Sequence, residues 1–133
     1  MIEKVREIFK REAAAIENIP ATGSFEVAIG IIHSHVHEKN GKLVTSGMGK
    51  AGQIAHTIAT TFSSTGTPSI FLHPSEAQHG DLGILQENDV LLAISNSGKT
   101  REIIELIDLK NNLYPQIPVI VITGNENSPL AKK

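Results

Sequence analysis

The run Leu91-Leu92-Ala93-Ile94 stops in Ser95-Asn96-Ser97-Gly98-Lys99-Thr100, and Glu102, Ile103, Ile104, Leu106, Ile107 and Leu109 then recur at helical spacing. Small hydroxylated residues between a buried strand and a helix start suit an anion. The first backbone N–H groups of a helix lack partners within it, and the aligned peptide dipoles make that end positive. With hydroxyls from Ser95, Ser97 and Thr100 to complete the shell, the spacing predicts a phosphate-binding loop.

A second glycine-bearing turn, Gly47-Met48-Gly49-Lys50-Ala51-Gly52, joins a short strand over 42–46 to Ile54, Ala55, Ile58, Ala59 and Phe62 at helical intervals. Formally this is GxGxxG. Glu76 follows the next strand, 68–72, at about the distance of a ribose-binding acid, so a nicotinamide or flavin module competes. Against it, Pro74 separates Glu76 from the strand and Lys50 puts a fixed charge into the turn. Gly98-Lys99-Thr100 resembles the tail of a P-loop, but Ala93 stands where the motif's first glycine belongs, which argues against nucleotide hydrolysis.

His73-Pro74-Ser75-Glu76-Ala77-Gln78-His79-Gly80-Asp81-Leu82-Gly83 gathers the most ionisable and turn-forming groups. Imidazole titrates near neutrality and binds metals, so His73, Glu76, His79 and Asp81 are candidates for acid–base work or for a divalent ion. The plainer alternative is an exposed loop in which Asp81 caps a short turn. His33 and His37 lie four apart on one helix face, yet a metal site needs more ligands, and three partly solvated imidazoles, His35 included, are the preferred reading.

The elements that must carry these groups follow from periodicity. An amphipathic helix is expected over 1–18, closed before Pro20, and a second from Ser24 as N-cap to the turn Lys39-Asn40-Gly41. Strands over 42–46, 68–72, 89–95 and 117–124 alternate with helices, and Ser128-Pro129 can open a short terminal turn. Alternation of this kind demands right-handed crossovers and a parallel sheet covered on both faces. The fold class is therefore α/β, a three-layer α/β/α sandwich with a doubly wound parallel sheet and two leading helices. Its ligands bind beyond the carboxyl ends of the strands.

The 133 residues, 40% hydrophobic and 20% charged, are expected to form a single domain over 1–133. A net charge of -2 with 4% aromatics argues against nucleic-acid binding. The absence of cysteine excludes thiolate metal sites, and no leading basic-apolar signal is visible, so a cytoplasmic location and no membrane partner are expected.

Taken together, Gly47-Met48-Gly49-Lys50, Ser64-Thr65-Gly66-Thr67-Pro68, Phe71-Leu72-His73-Pro74, Glu76-Ala77, His79-Gly80-Asp81-Leu82-Gly83, Ser95-Asn96-Ser97-Gly98 and Ile122-Thr123-Gly124 resemble the sugar isomerase (SIS) domain of arabinose-5-phosphate isomerases. That resemblance implies a flavodoxin-like SIS fold and interconversion of D-arabinose 5-phosphate and D-ribulose 5-phosphate. The reaction opens Kdo synthesis for lipopolysaccharide or capsule. It implies a homo-oligomer, tetramer or dimer, and no required cofactor. Relative to the family the chain carries no CBS domains and stops before a fifth strand and a later glutamate and histidine, so the expectation is a C-terminally truncated domain.

By position, the resemblance makes Lys50, His79 and Glu102 the catalytic residues and His73 a histidine that can bind zinc. It makes Gly66 and Thr67 a substrate-contacting pair. Lys99 departs from an acid usual in the family. An enediol route needs a carboxylate or imidazole base and a cation for the developing oxyanion, which Glu102 or His79 and Lys50 would supply. Ser46, Ser95, Ser97 and Thr100 would hold the phosphate, with Gly47, Gly49 and Asn96 lining it. The competing class is a sugar-phosphate-binding SIS module without turnover.

Overall fold

The computed structural model describes all residues, Met1–Lys133. Four parallel strands, β1 (Leu43–Gly47), β2 (Ser69–Phe71), β3 (Val90–Ile94) and β4 (Val119–Ile122), lie in the order β2-β1-β3-β4. Five α-helices accompany them: α1 (Ile2–Glu17), α2 (Gly23–Ile32), α3 (Gly49–Ser64), α4 (Pro74–Ala77) and α5 (Arg101–Leu113).

The central strands β1 and β3 are buried throughout, as near-continuous apolar runs of a parallel sheet require. Their alternation divides the core. Val44, Leu91 and Ala93 pack with Leu72, Ala77, Ile103, Leu106 and Ile107 under α4 and α5, whereas Leu43, Val90, Leu92 and Ile94 meet Val36 and Ala55 under α3. The sheet is thus covered on both faces, as expected for the doubly wound α/β class.

Asp89, fully buried at the amino end of β3, accepts hydrogen bonds from the Lys42 backbone N–H (2.9 Å), the Gln86 backbone N–H (2.8 Å) and Lys42 Nζ (2.7 Å). One carboxylate thereby ties the starts of the two central strands together. With both oxygens engaged, its charge is compensated despite burial.

The second helix begins differently from expectation. Thr22, not Ser24, is its N-cap, and the two hydroxyls bond each other at 2.6 Å, so neither caps a backbone N–H. Toward its end it widens into a π-helical turn, His33–Glu38, in which Val36 is buried and His37 Nε2 meets Thr67 Oγ1 at 3.1 Å. The terminal segment is a 3-10 turn, Leu130–Lys132, docked by the buried Leu130 and by Ser128 Oγ, which accepts from the Ala131 N–H at 3.3 Å. No helix is long and apolar enough to cross a membrane.

A lysine unremarked in the sequence is buried in the last turn of α5. Lys110 Nζ donates to the Ile117 carbonyl at 2.6 Å and has no acidic partner. Desolvation lowers its pKa from the ordinary 10.5. The unfolded chain therefore binds the proton more tightly than the folded one, and stability rises as pH climbs through the lowered folded value toward 10.5. Urea midpoints measured from pH 7 to 10 are expected to rise for the native chain relative to Lys110→Met; parallel curves would remove this account.

Candidate active site

The β1/β3 pair is the switch point of the sheet, because β2 lies on one side of it and β4 on the other. Gly47 pairs in register with Ile94, so the turn leaving β1 and the loop leaving β3 start side by side. From the first comes α3 with Lys50 in its opening turn; from the second comes α5, preceded by Lys99 and Thr100 and opened by Arg101 and Glu102. The loop after β2 brings His73 and His79 to the same carboxyl edge. This is where ligands bind in such sheets.

Lys50, Gly49, His73, His79, Asn96, Ser97 and Lys99 are exposed there, Glu102 is half-buried, and Gly47 is buried in the strand end. The site within one chain is a ledge. A hollow of about 470 Å³ beside it is lined by Phe71, Leu72, His73, Gly80 and Asp81, and one of about 380 Å³ runs from Lys50 along α3 past Gln53, Ile54 and Thr57. Neither takes in Ser97 or Glu102.

Three of the hydroxyls expected to contact phosphate sit otherwise. Ser46 is buried and its hydroxyl donates to the Leu72 carbonyl at 2.7 Å, so its one proton is committed to holding β1 beside the end of β2. Ser95 is buried too; its oxygen accepts from the Gly98 N–H (3.1 Å) and pairs with Thr100 Oγ1 (2.7 Å). Ser95 and Thr100 therefore brace the loop from inside. That leaves Ser97 as the hydroxyl facing solvent, with its oxygen accepting from the Lys99 N–H at 3.2 Å and its proton free.

Gly66 and Thr67 lie farthest from the other expected site residues within the chain. They precede β2 at the amino edge of the sheet, where Thr67 is buried against His37, so the chain does not bring them to Lys50, His79 and Glu102. The reason is topological: α3 starts at the carboxyl edge, and its C-terminal end lies across the sheet.

Residues beyond those expected hold the ledge in place. Leu130 N–H donates to the Gly98 carbonyl (3.2 Å), Gly124 N–H to the Asn96 carbonyl (3.0 Å) and Asn125 Nδ2 to the Ser97 carbonyl (3.4 Å). Gly98 itself has φ +63, and a Cβ there would lie 2.0 Å from Ser128 Oγ. Only glycine fits. Thr-Gly after the last strand was visible in the sequence, whereas its bracing contacts depend on a neighbouring loop.

Electrostatically, Arg101 Nε donates to Glu105 Oε1 at 2.6 Å and Gln78 Nε2 to Glu105 Oε2 at 2.9 Å. The bond from Arg101, then that from Gln78, lowers the Glu105 pKa, and the same pairing raises that of Arg101. No three His, Asp or Glu side chains gather as a metal would need, at His33, His35 and His37 or at His73. A zinc ion at His73 would find too few donors in this chain, so the residues do not fit a resident zinc site.

Residues 35–133 match the SIS domain family. The chain belongs to that family. It is 44% identical over 133 residues to the arabinose 5-phosphate isomerase KdsD of Francisella tularensis, covering 98% of this chain and 40% of that protein. It is 53% identical over 92 residues to KdsD of Pseudomonas aeruginosa, covering 69% of this chain and 28% of that one. The SIS chain thus spans two fifths or less of these curated relatives. Among solved structures, a candidate phosphosugar isomerase of capsule formation from Bacteroides fragilis superposes with a TM-score of 0.98 at 66% identity, covering 100% of this chain and 69% of that one. An Escherichia coli CFT073 protein in complex with arabinose 5-phosphate gives a TM-score of 0.80 at 39% identity, covering 98% and 68%.

The division of the hydroxyls is testable by stability alone. Ser46→Ala and Ser95→Ala are each expected to cost about 1–2 kcal/mol in urea unfolding, because each removes a bond to a buried backbone group. Ser97→Ala should stay within about 0.5 kcal/mol of the native chain. An equal loss at all three positions would return Ser46 and Ser95 to the set of free hydroxyls.

Proposed function

We propose that this SIS chain binds D-arabinose 5-phosphate and D-ribulose 5-phosphate and interconverts them through an enediol. In the Kdo pathway this supplies the ketose-to-aldose entry step for lipopolysaccharide or capsule. The single observation that carries the reading is the pair of neighbouring helix starts at the β1/β3 switch point, each bearing a cation: Lys50 on α3, and Lys99 with Arg101 at α5. Both ends are already positive from their dipoles, and a terminal phosphoryl group answers that field. Ser97 and the unpartnered backbone N–H groups in the first turn of α5 would hold the phosphate; Ser95, Thr100 and Ser46 shape its seat.

The phosphate fixes the sugar, and the chemistry follows at its other end. A base removes the proton from C2 of the aldose while the C1 oxygen gains one, giving an enediol. Protonation at C1 and loss of the proton from the C2 hydroxyl give the ketose. Two hydrogens move within one molecule, so the balance needs no co-reactant. Glu102, half-buried at the start of α5, suits the C2 proton; His79 suits the oxygens or ring opening, and Lys50 the oxyanion. Phosphorylated sugars and this chemistry belong to the cytoplasm.

We also propose that the chain works as a homo-oligomer. Ile2, Val5, Ile8, Phe9 and Ile16 of α1 and Phe25, Val27 and Ile29 of α2 are all exposed, and no residue of either helix is buried. An isolated helix of this length is marginal in water, so α1 needs a partner. The accessible surface, 8560 Å² for 14.3 kDa, is about a quarter above the roughly 6,800 Å² of a compact monomer. The excess is of the order each copy buries in an obligate dimer.

Incubation with D-arabinose 5-phosphate should yield D-ribulose 5-phosphate, and Glu102→Gln should cut turnover at least about a hundredfold with little loss of binding. Binding without product would establish the non-catalytic module instead. Unchanged turnover in Glu102→Gln would remove the carboxylate from the proton path. By light scattering the native chain should exceed one chain mass at least twofold, and Phe9→Glu with Ile16→Glu should reduce it to 14.3 kDa; a native monomer would refute the assembly.

A further inference from the structure

Residues 78–81 form an exposed stretch between two buried anchors, Ala77 and Leu82. His79 stands in the middle of it. On one side Gly80 has φ +121, a conformation that residues with a side chain rarely adopt. On the other side Gln78 makes the stretch's one side-chain hydrogen bond, to Glu105 on α5. A carboxylate only accepts, so the Gln78 amide must present its N–H₂ there.

Glu105 divides its two oxygens between the two loops of the site. Oε1 takes Arg101, in the opening turn of α5, and Oε2 takes Gln78, at the end of α4. It also lies one turn beyond Glu102 on the same helix, so the two carboxylates share a face. Below the contact, Ala77 packs into one core cluster with Ile103 and Leu106, which fixes α4 against α5 as a rigid floor. Above the floor, the backbone bonds His79 N–H to Glu76 O (2.9 Å) and Gly80 N–H to Ala77 O (3.4 Å) are local to the loop and do not reach α5.

We propose that Glu105 is a positioning residue: by clamping Gln78 with one oxygen and Arg101 with the other, it sets where His79 stands relative to Glu102. The inference rests on the isomerase reading for its kinetic consequence, though not for the clamp itself. An exposed hydrogen bond adds little to global stability. It matters here because the exposed segment it restrains makes no other hydrogen bond to α5. Reactions of this type lose rate steeply when a proton-transfer group is misplaced by about an ångström. Arg101 contributes by holding the Glu105 carboxylate in the rotamer that reaches Gln78.

The experiment compares Glu105→Ala, Gln78→Ala, the pair together, and Glu105→Gln, in the native chain background. For the alanine variants kcat should fall about three- to tenfold with KM within about twofold and an unchanged unfolding midpoint. The double variant should be no worse than either single one, and Glu105→Gln, which keeps an acceptor for Gln78, should recover part of the loss. Amide hydrogen exchange at His79 and Gly80 should quicken by a similar factor while Ile103 and Leu106 stay protected. Additive losses, unchanged kcat, or a loss that tracks a lower midpoint would overturn the proposal. If the native chain shows no turnover, the isomerase reading fails, and exchange at His79 and Gly80 alone decides: faster in Glu105→Ala supports the clamp, unchanged refutes it.

Discussion

The parallel pairing of β1 with β3 is the constraint on which the rest depends. Five consecutive residue pairs, from Leu43 with Val90 to Gly47 with Ile94, leave no freedom in where the two chains exit the sheet. A one-residue slip of β3 would turn Val90, Leu92 and Ile94 from the α3 side to the α5 side, send Leu91 and Ala93 the other way, and break both core clusters. Asp89 holds the opposite end of the same pair through two backbone N–H groups and Lys42. The register that buries the apolar side chains is therefore the register that sets two helix starts next to each other. Stability and site geometry share one determinant.

Much of this was legible from one sequence because it is periodic. Continuous apolar runs marked the central strands, the 3.6 spacing after Ser95 and Gly47 marked the helices, and their alternation left a parallel sheet as the solution. Boundaries shifted by a residue or two, since strand ends are set by pairing partners rather than by composition. The three-residue β2 and the π-helical turn at His33 depend on contacts that lie 26 to 30 residues away, Ser69 to Leu43 and His37 to Thr67, and no local pattern encodes them. Lys110 escaped for a related reason: lysine reads as a surface residue, and only the fold reveals that the Ile117 carbonyl waits inside.

The hydroxyls show where residue type ceases to specify role. Serines at strand tips can turn toward a ligand or back to the chain, and a single proton decides between the two. At Ser46 the neighbouring strand offers the Leu72 carbonyl, an acceptor that needs a donor once water is excluded. At Ser95 the left-handed Gly98 folds the loop back so that its own N–H reaches the serine oxygen. Gly66 and Thr67 lie apart from the ledge for a different reason. Motif order along the chain says nothing about which edge of the sheet a residue reaches; that depends on which end of a crossover helix it follows.

The cations that remain at the ledge give the energetic direction of the whole site. Lys50, Lys99 and Arg101 stand at helix starts, where a positive side chain opposes the dipole at some cost. Arg101 recovers that cost through Glu105, but Lys50 and Lys99 form no ion pair. In a chain of net charge -2, two uncompensated cations beside two unpaired sets of N–H groups form a local excess that nothing in the fold requires. Such an excess favours an anion from outside the chain. A phosphoryl group carrying close to two negative charges at neutral pH would match it in sign and in number, which is the electrostatic ground for the phosphate seat proposed above.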